Sequence, residues 1–276
     1  MKTIKIATWN VNSVRARKQN IEDFLKNSDI DILLMQETKC KNDDFPEDFF
    51  IDLGYNVKFS GQPSYNGVAI AAKHNIDVEH FSLPLYGKVE EDNQARYIEA
   101  TVTIENTTVR AASIYVPNGD SVLPKGSKLE DSEKFIFKMR FFDRLKQHMA
   151  NSFNNDNEVH VFGGDYNVAH HAIDLHNPKS AEGGVGFHKM ERQHLTDLET
   201  KGYVDLFRRY NDKAENYSWW NYRHGGWPKN KGWRIDYIFT PQQHLPKFSN
   251  CYIDKDVRGW EKASDHVPVV AEIIIE

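Results

Sequence analysis

The nine residues Thr101-Val102-Thr103-Ile104-Glu105-Asn106-Thr107-Thr108-Val109 restrict the fold of this chain more than any other stretch. Two β-branched runs meet there across a minimal turn. So short a link joins antiparallel neighbours, because parallel strands need a crossover of about a dozen residues. An all-parallel sheet is therefore excluded. Runs rich in Val, Ile, Tyr and Phe predict strands over 2–10, 30–37, 56–59, 68–72, 96–104, 109–116, 158–162, 236–240 and 267–275. Helical spacing of apolar residues predicts helices over 14–27 (Ile21, Phe24, Leu25), 131–151 (Phe135, Met139, Phe142, Leu145) and 190–201 (Leu195, Leu198). The fold class is α/β, with two mostly antiparallel sheets flanked by helices. No linker-like segment or repeat divides the 276 residues, so a single domain over 1–276 is expected.

Polar clusters stand at the ends of these apolar runs: Asn10 after Ile4–Trp9, Glu37 in Gln36-Glu37-Thr38, Asp165 and Asn167 in Gly163-Gly164-Asp165-Tyr166-Asn167, Asp236 in Arg234-Ile235-Asp236-Tyr237, and Ser264-Asp265-His266-Val267. Taken singly, each has a structural explanation. Gly163-Gly164-Asp165 reads as a turn, because Gly and Asp favour turns for backbone reasons. Together they describe one sheet edge that gathers polar groups while the strands fill the core. Carboxylates, amides and one histidine, with no cysteine or serine nucleophile among them, suit a hard divalent cation and an activated water. Phosphate ester hydrolysis is the chemistry to which such a set points. Glu37 is the evident oxygen ligand for Mg²⁺, which keeps several waters and takes one or two carboxylates. Asp165 and Asn167, two apart in what reads as an extended segment, would face the same reacting atom. Asp236 beside His266 would favour the imidazolium, a cation able to bind a phosphoryl oxygen.

The blocks Trp9-Asn10-Val11-Asn12, Leu34-Met35-Gln36-Glu37-Thr38-Lys39, Tyr115-Val116-Pro117-Asn118-Gly119, Gly164-Asp165-Tyr166-Asn167, Trp233-Arg234-Ile235-Asp236-Tyr237 and Ser264-Asp265-His266 occur in an order that resembles the exonuclease III family of apurinic/apyrimidinic endonucleases. The likeness runs from about residue 4 to about residue 273. The run Asn167-Val168-Ala169-His170 through Ile173-Asp174-Leu175, then Asn177-Pro178-Lys179, is similar to the repair branch of that DNase I-like superfamily. The resemblance implies a four-layer α/β sandwich and a metal set drawn from Asn10, Glu37, Asp165, Asn167, Asp265 and His266, with Asn10 beside Glu37 and able to orient it. It implies that Asp165 orients and deprotonates the attacking water, helped by Asn167, and that Tyr115 and Asn118 contact the scissile phosphate. Trp219, Trp233 and Ile235 match positions lining a small apolar pocket for a flipped-out abasic sugar, which rejects a normal nucleotide by size. Trp220 reads as core. Arg223 stands where the family projects a residue into the duplex, although a phosphate contact would suit it equally. The implied cofactor is Mg²⁺, with Mn²⁺ as an alternative. The implied substrate is double-stranded DNA with an abasic site, cut on its 5′ side to leave a 3′-hydroxyl, with 3′-to-5′ exonuclease or 3′-end-cleaning activity beside it. A phosphoesterase acting on lipid or inositol phosphates and a non-catalytic damaged-DNA-binding protein are the rival readings. The chain departs from the family pattern at Ser13, where Gly is frequent, at Asn66, where an aromatic is frequent, and at His171-Ala172, where acidic residues are common.

The net charge of −5 argues against a protein that coats nucleic acid indiscriminately, which would be basic throughout. A local basic face remains open to it. Residues 216–234 hold no Asp or Glu, and there Arg223, Lys229, Lys231 and Arg234 alternate with Tyr217, Trp219, Trp220, Tyr222, Trp227 and Trp233. Lys39, Lys73, Arg96 and Lys125 read as solvated surface by default, with further contacts to the DNA backbone as the alternative. Cys40 and Cys251 lack metal-site or redox spacing, so no disulfide is expected. No apolar stretch approaches the ~18 residues of a membrane span, and strand-like sequence begins at once. A cytoplasmic monomer with no membrane association is the expectation.

Overall fold

A computed structural model describes residues 2–85, 93–120, 126–152 and 158–275. β1 (Lys2–Asn10), α1 (Lys18–Ser28) and β2 (Ile32–Gln36) form a crossover unit whose strands are parallel. α2 (Glu47–Asp52) leads to the hairpin of β3 (Asn56–Ser60) and β4 (Val68–Ala72), and β5 (Ile76–His80), β6 (Tyr97–Ile104) and β7 (Thr107–Tyr115) follow as antiparallel neighbours. α3 (Glu133–Asn151) makes a second crossover, from β7 to the parallel β8 (Glu158–Asp165). After α4 (Pro178–Ala181) and α5 (Lys189–Thr200) come β9 (Tyr203–Asp205), α6 (Leu206–Tyr210), β10 (Asp236–Pro241), β11 (Phe248–Ile253) and β12 (Val269–Ile275).

The strands form two six-stranded sheets, ordered β11-β12-β1-β2-β4-β3 and β5-β6-β7-β8-β10-β9. Counted from β11 through the termini, the first sheet has the same order as the second, with the parallel pair β1·β2 or β7·β8 at its centre. Alternation along each strand sends side chains to two different cores. Ile4 and Ile6 of β1 meet Val109, Val161 and Ile238 between the sheets, whereas Ala7 and Trp9 pack against Ile21 and Phe24 of α1. On the outer face of the second sheet, Phe135, Phe142 and Leu145 of α3 and Leu195 and Leu198 of α5 cover Phe162 and Tyr237. The result is the four-layer α/β sandwich. Full burial of each such aliphatic or aromatic side chain contributes roughly 1.5–3 kcal/mol.

Differences from the sequence reading have local causes. α1 starts at Lys18 rather than 14 because Ser13 takes φ +90° and the Val14 N–H is spent on Thr38 O. The turn expected at Gly163-Gly164-Asp165 is instead the continuation of β8. Those glycines serve close approach: a Cβ on Gly164 would lie 2.0 Å from Ile114 O, and one on Gly163 would lie 2.7 Å from Leu34 Cδ1 of the facing sheet. Three strands, β5, β9 and β11, were not anticipated, and all three are sheet edges.

Candidate active site

Both parallel pairs end at the same edge of the sandwich, where the topology leaves a crevice beyond the carboxyl ends of the strands. Tyr115, Asp165 and Asp236 occupy adjoining register positions on β7, β8 and β10, so they form one rank on the second sheet. Asn10 ends β1 on the first sheet, and Glu37 follows β2 with φ +52°, a left-handed conformation that swings its carboxylate toward the rank. Beneath them Gln36 Nε2 donates to Thr8 Oγ1 (3.0 Å) and to Ser113 Oγ (2.9 Å), tying the two sheets together by a buried polar strap.

The amide of Asn10 joins the two halves of the site. Its Nδ2 donates to Glu37 Oε1 and to Asp165 Oδ2, both at 2.9 Å, while its Oδ1 accepts the Asn12 N–H at 3.0 Å. Tyr115 O–H donates to the same Glu37 oxygen (2.9 Å), and Lys39 Nζ lies 2.6 Å from the other. Asp165 Oδ1 accepts the Asn167 N–H (2.8 Å), and Asn118 Nδ2 donates to Asn167 Oδ1 (3.2 Å). His266 Nδ1 lies 2.9 Å from Asp236 Oδ2, and its Nε2 lies 3.8 Å from Asp165 Oδ2. Asp236 is held in turn by Ser218, whose Oγ donates to it at 2.6 Å and accepts the Ile235 and Asp236 N–H groups. Asp265 accepts Asn12 Nδ2 (2.8 Å) and Trp219 Nε1 (3.0 Å).

Burial disfavours charge on His266, but the Asp236 and Asp165 carboxylates outweigh it and raise its pKa to about 10. Burial, reinforced by Asp236 and Glu37, raises Asp165 to about 7 against the opposing effects of His266 and Asn10. Glu37 moves the other way: Lys39 and the Asn10 amide overcome burial and lower its pKa. Tyr115, buried beside two carboxylates, is shifted upward and keeps its proton.

Glu37, Asp165 and His266 offer ligand atoms within 4.8 Å of one another. The carboxylates of Glu37, Asp165 and Asp236 converge here, and Glu37 already draws an ammonium to the oxygen not taken by Asn10. That excess of oxygen donors fits a hard divalent cation. A cavity of about 430 Å³ opens over the site, lined by polar Glu37, Tyr115, Asn118, Asp165 and His266 and by Trp219, Trp233 and Ile235. The apolar wall is a small cluster of its own, in which Ala169, Leu175, Phe187 and Ile235 support the two tryptophans. Trp220 is fully buried in the core that the first sheet shares with α1, as anticipated.

Other positions fall differently from expectation. Asn167 faces Asp165, but through a turn at φ +52° rather than along an extended strand. Arg223 lies on an exposed turn, outside the lining of the cavity. Arg234 is not part of a basic face: it is fully buried, with Nε 2.8 Å from Asp174 Oδ1 and Nη2 2.8 Å from Asp205 Oδ2. Lys39 and Arg96 are not merely solvated. Lys39 pairs with Glu37, and Arg96 stacks its guanidinium 4.7 Å from the Tyr115 ring. Lys73 pairs with Asp29, and Lys125 lies outside the described residues. The sequence reading passed over Asn12, Gln36, Ser218 and Lys138. Lys138 alone carried a signal, a lysine three residues after Phe135 on the apolar stripe of α3.

Fold and site together define a metal-dependent phosphodiesterase. The sequence profile of the Endonuclease/Exonuclease/phosphatase family matches residues 7–266. The exodeoxyribonuclease of Bacillus subtilis strain 168 is 34% identical over 278 residues, spanning 99% of each chain. An AP endonuclease from Archaeoglobus fulgidus superposes with a TM-score of 0.86 at 35% identity, covering 99% of this chain and 100% of that one. The 3′ phosphatase NExo from Neisseria, solved with a product DNA hairpin, gives 0.88 at 31% identity, with coverage of 99% and 100%. The chain belongs to the endonuclease/exonuclease/phosphatase family, in its exonuclease III branch. Among the described residues no helix is long and apolar enough to cross a membrane.

Proposed function

We propose that this protein, acting as a monomeric cytoplasmic single-domain enzyme with Mg²⁺ or in its place Mn²⁺, incises double-stranded DNA 5′ to an abasic site, leaves a 3′-hydroxyl, and also processes 3′ ends. The reading rests on one juxtaposition. The carboxylate, amide and histidine set shares its cavity with the apolar wall of Trp219, Trp233 and Ile235.

A metal ion held by Glu37, with Asp265 as a second carboxylate near it, would supply the charge that neutralises a phosphoryl oxygen. The remaining work falls to the chain's own groups. Asp165, which the Asn10 amide and the Asn167 N–H hold by hydrogen bonds, orients a water and accepts its proton. Asn10 acts through Glu37 and Asp165 as an orienting donor. His266, kept cationic by Asp236, and the Tyr115 hydroxyl offer donors to phosphoryl oxygens, and Asn118 and Asn167 fix the phosphate from the opposite loop. Trp219, Trp233 and Ile235 accept a sugar without its base, since flipping is least costly where nothing is stacked or paired. Arg223 contacts the duplex from outside the cavity.

The test compares duplexes carrying a tetrahydrofuran site, a uracil or a recessed 3′ end at equal enzyme with Mg²⁺, Mn²⁺ or a chelator. Fast metal-dependent incision at the tetrahydrofuran site is the expected result. Turnover of sphingomyelin or an inositol phosphate in its place, or binding to the abasic duplex with no cleavage under any metal, overturns the reading.

A further inference from the structure

A second cluster of ligating side chains lies on the far side of the Asn167 turn, where the chain runs into the short turn at Ala172–Asp174 and packs against α5. The His170 ring is buried, and its Nε2 lies 2.9 Å from Thr196 Oγ1. The Thr196 hydroxyl also lies 3.2 Å from Arg192 O, and with its hydrogen turned there it accepts from His170 Nε2–H. In that tautomer Nδ1 presents a bare lone pair. This buried Nδ1 has no hydrogen-bond partner, yet it lies 3.6 Å from Glu199 Oε1, itself an acceptor. In the Nε2–H tautomer two lone pairs then face one another across a gap that suits a cation. The His171 ring stacks on that of His170, with centroids 3.8 Å apart and planes at 29°, and ligand atoms of His170, His171 and Glu199 all lie within 4.8 Å of one another.

We propose that His170, His171 and Glu199 form a binding site for a zinc-like divalent cation, separate from the catalytic metal site. Two imidazoles and one carboxylate are the ligand set of Zn²⁺ and its neighbours in the transition series, whereas Mg²⁺ prefers oxygen alone. The Thr196 contact supplies the outer hydrogen bond that commonly fixes the tautomer of a ligating histidine. His171 and Glu199 are exposed, which leaves an entry path and an open position for water. A proton is a poorer occupant of the gap, because burial and the neighbouring His171 hold the His170 pKa down to about 3. Burial and the Asp205 charge raise the Glu199 pKa against the opposing charge of Arg234. The Arg234 guanidinium nearby is already committed to Asp174 and Asp205. An ion here would tie the segment that follows Asn167 to α5, a link from the rim of the active site to the outer helix layer.

The experiment titrates the whole protein with Zn²⁺ under saturating Mg²⁺, by competition with a chromophoric chelator, and records the thermal midpoint. Wild type, His171→Ala, Glu199→Gln and Thr196→Val are compared, and each is repeated in a Glu37→Gln background so that binding at the catalytic centre is separated. The inference expects one zinc equivalent that survives Glu37→Gln and raises the midpoint by roughly 3–8 °C at a hundredfold excess over Kd. Loss of His171 or Glu199 should weaken it by more than the roughly 10–100-fold that loss of an outer partner costs, and Thr196→Val should fall within that range. Incision by His171→Ala without zinc should equal that of wild type. Equal zinc affinity in wild type and both ligand variants overturns the site, as does binding that vanishes with Glu37→Gln alone.

Discussion

Lys138 of α3 should set the position of the active-site loops. Its ammonium is fully buried and donates to Asn118 O (3.0 Å), Asn167 O (2.8 Å) and Glu191 Oε1 (2.5 Å). Asn118 and Asn167 are the two amides that meet over the cavity, so one cation clamps the backbone of both. Lys138→Met keeps the length of the side chain and removes the charge, which leaves Glu191 buried with only the His188 N–H beside it (2.9 Å). Breaking one partner of a buried pair costs about 3–5 kcal/mol, chiefly through the stranded charge. The two carbonyl hydrogen bonds belong to the same network, so their loss does not add in full.

The double variant Lys138→Met/Glu191→Gln separates the two consequences. With no charge left in the core it should recover more than half of the lost stability, because a buried ion pair is worth little against neutral groups of similar volume. The clamp is still absent. A misplacement of about 1 Å at a reacting group can cost about a hundredfold in rate, so single-turnover incision should stay at least tenfold below wild type in both variants. Urea denaturation and rapid-quench incision on one abasic duplex measure the two quantities. If the double variant regains both stability and rate, Lys138 is only a buried charge. If the single variant loses less than about 1 kcal/mol, the pair is not held as the geometry states.

Glu37→Gln should cut incision most at limiting Mg²⁺ and recover in part at high metal, and a metal titration matching wild type removes Glu37 from the metal site. Trp233→Ala should lower the rate ratio of abasic to intact DNA by the equivalent of roughly 1–3 kcal/mol, and an unchanged ratio in a uniformly slow protein returns Trp233 to a packing role. Glu99 provides a pH test away from the site. Burial would raise its pKa from the ordinary 4.5, but His148, Arg110 and the Tyr97 hydroxyl lower it to about 2. A carboxylate so depressed stabilises the fold fully above its unfolded pKa, and the contribution fades as pH falls toward the folded one. At neutral pH it is on the order of 3 kcal/mol. The stability difference between wild type and Glu99→Gln should therefore shrink from pH 5 to pH 3, and a constant difference in urea midpoints over that range refutes the linkage.

The strand ends bearing Asn10, Glu37, Asp165 and Asp236 could be read in advance because central strands announce themselves by continuous apolar runs, and a polar residue closing such a run is conspicuous. Of the four sheet edges only β3 gave a strand signal. Ile76-Asp77-Val78-Glu79-His80 of β5 has one face in water, and β9 is three residues long, so neither carries enough apolar sequence to stand out. Charge was the least legible property. Arg234 looks like a surface cation in a linear reading, Lys138 stands out only by its place on the apolar stripe of α3, and only the fold shows Asp174, Asp205 and Glu191 waiting for them in the interior. Lys39 erred in the same sense, because the left-handed turn at Glu37 that directs the pair inward is tied to the residue that precedes β4: Thr38 N–H donates to Gly67 O.

The repeated sheet order accounts for the location of the site. Each sheet places a parallel pair at its centre, each pair is joined by a crossover helix, and both pairs terminate at one edge of the sandwich. The first sheet delivers Asn10 and Glu37, and the second delivers Tyr115, Asp165 and Asp236. Neither sheet alone holds both the Glu37 carboxylate and the Asp236–His266 pair. The chemistry therefore depends on how the sheets register against each other across the core, and few groups set that register at the edge: the Gln36 strap, the missing Cβ of Gly163, and the Asn10 amide between Glu37 and Asp165. A carboxyl group and an amide differ little in size, so the core would tolerate either at these positions. What it would not reproduce is the Asn10 amide nitrogen, whose two N–H groups reach two acids on opposite sheets and hold like charges within reach of one cation.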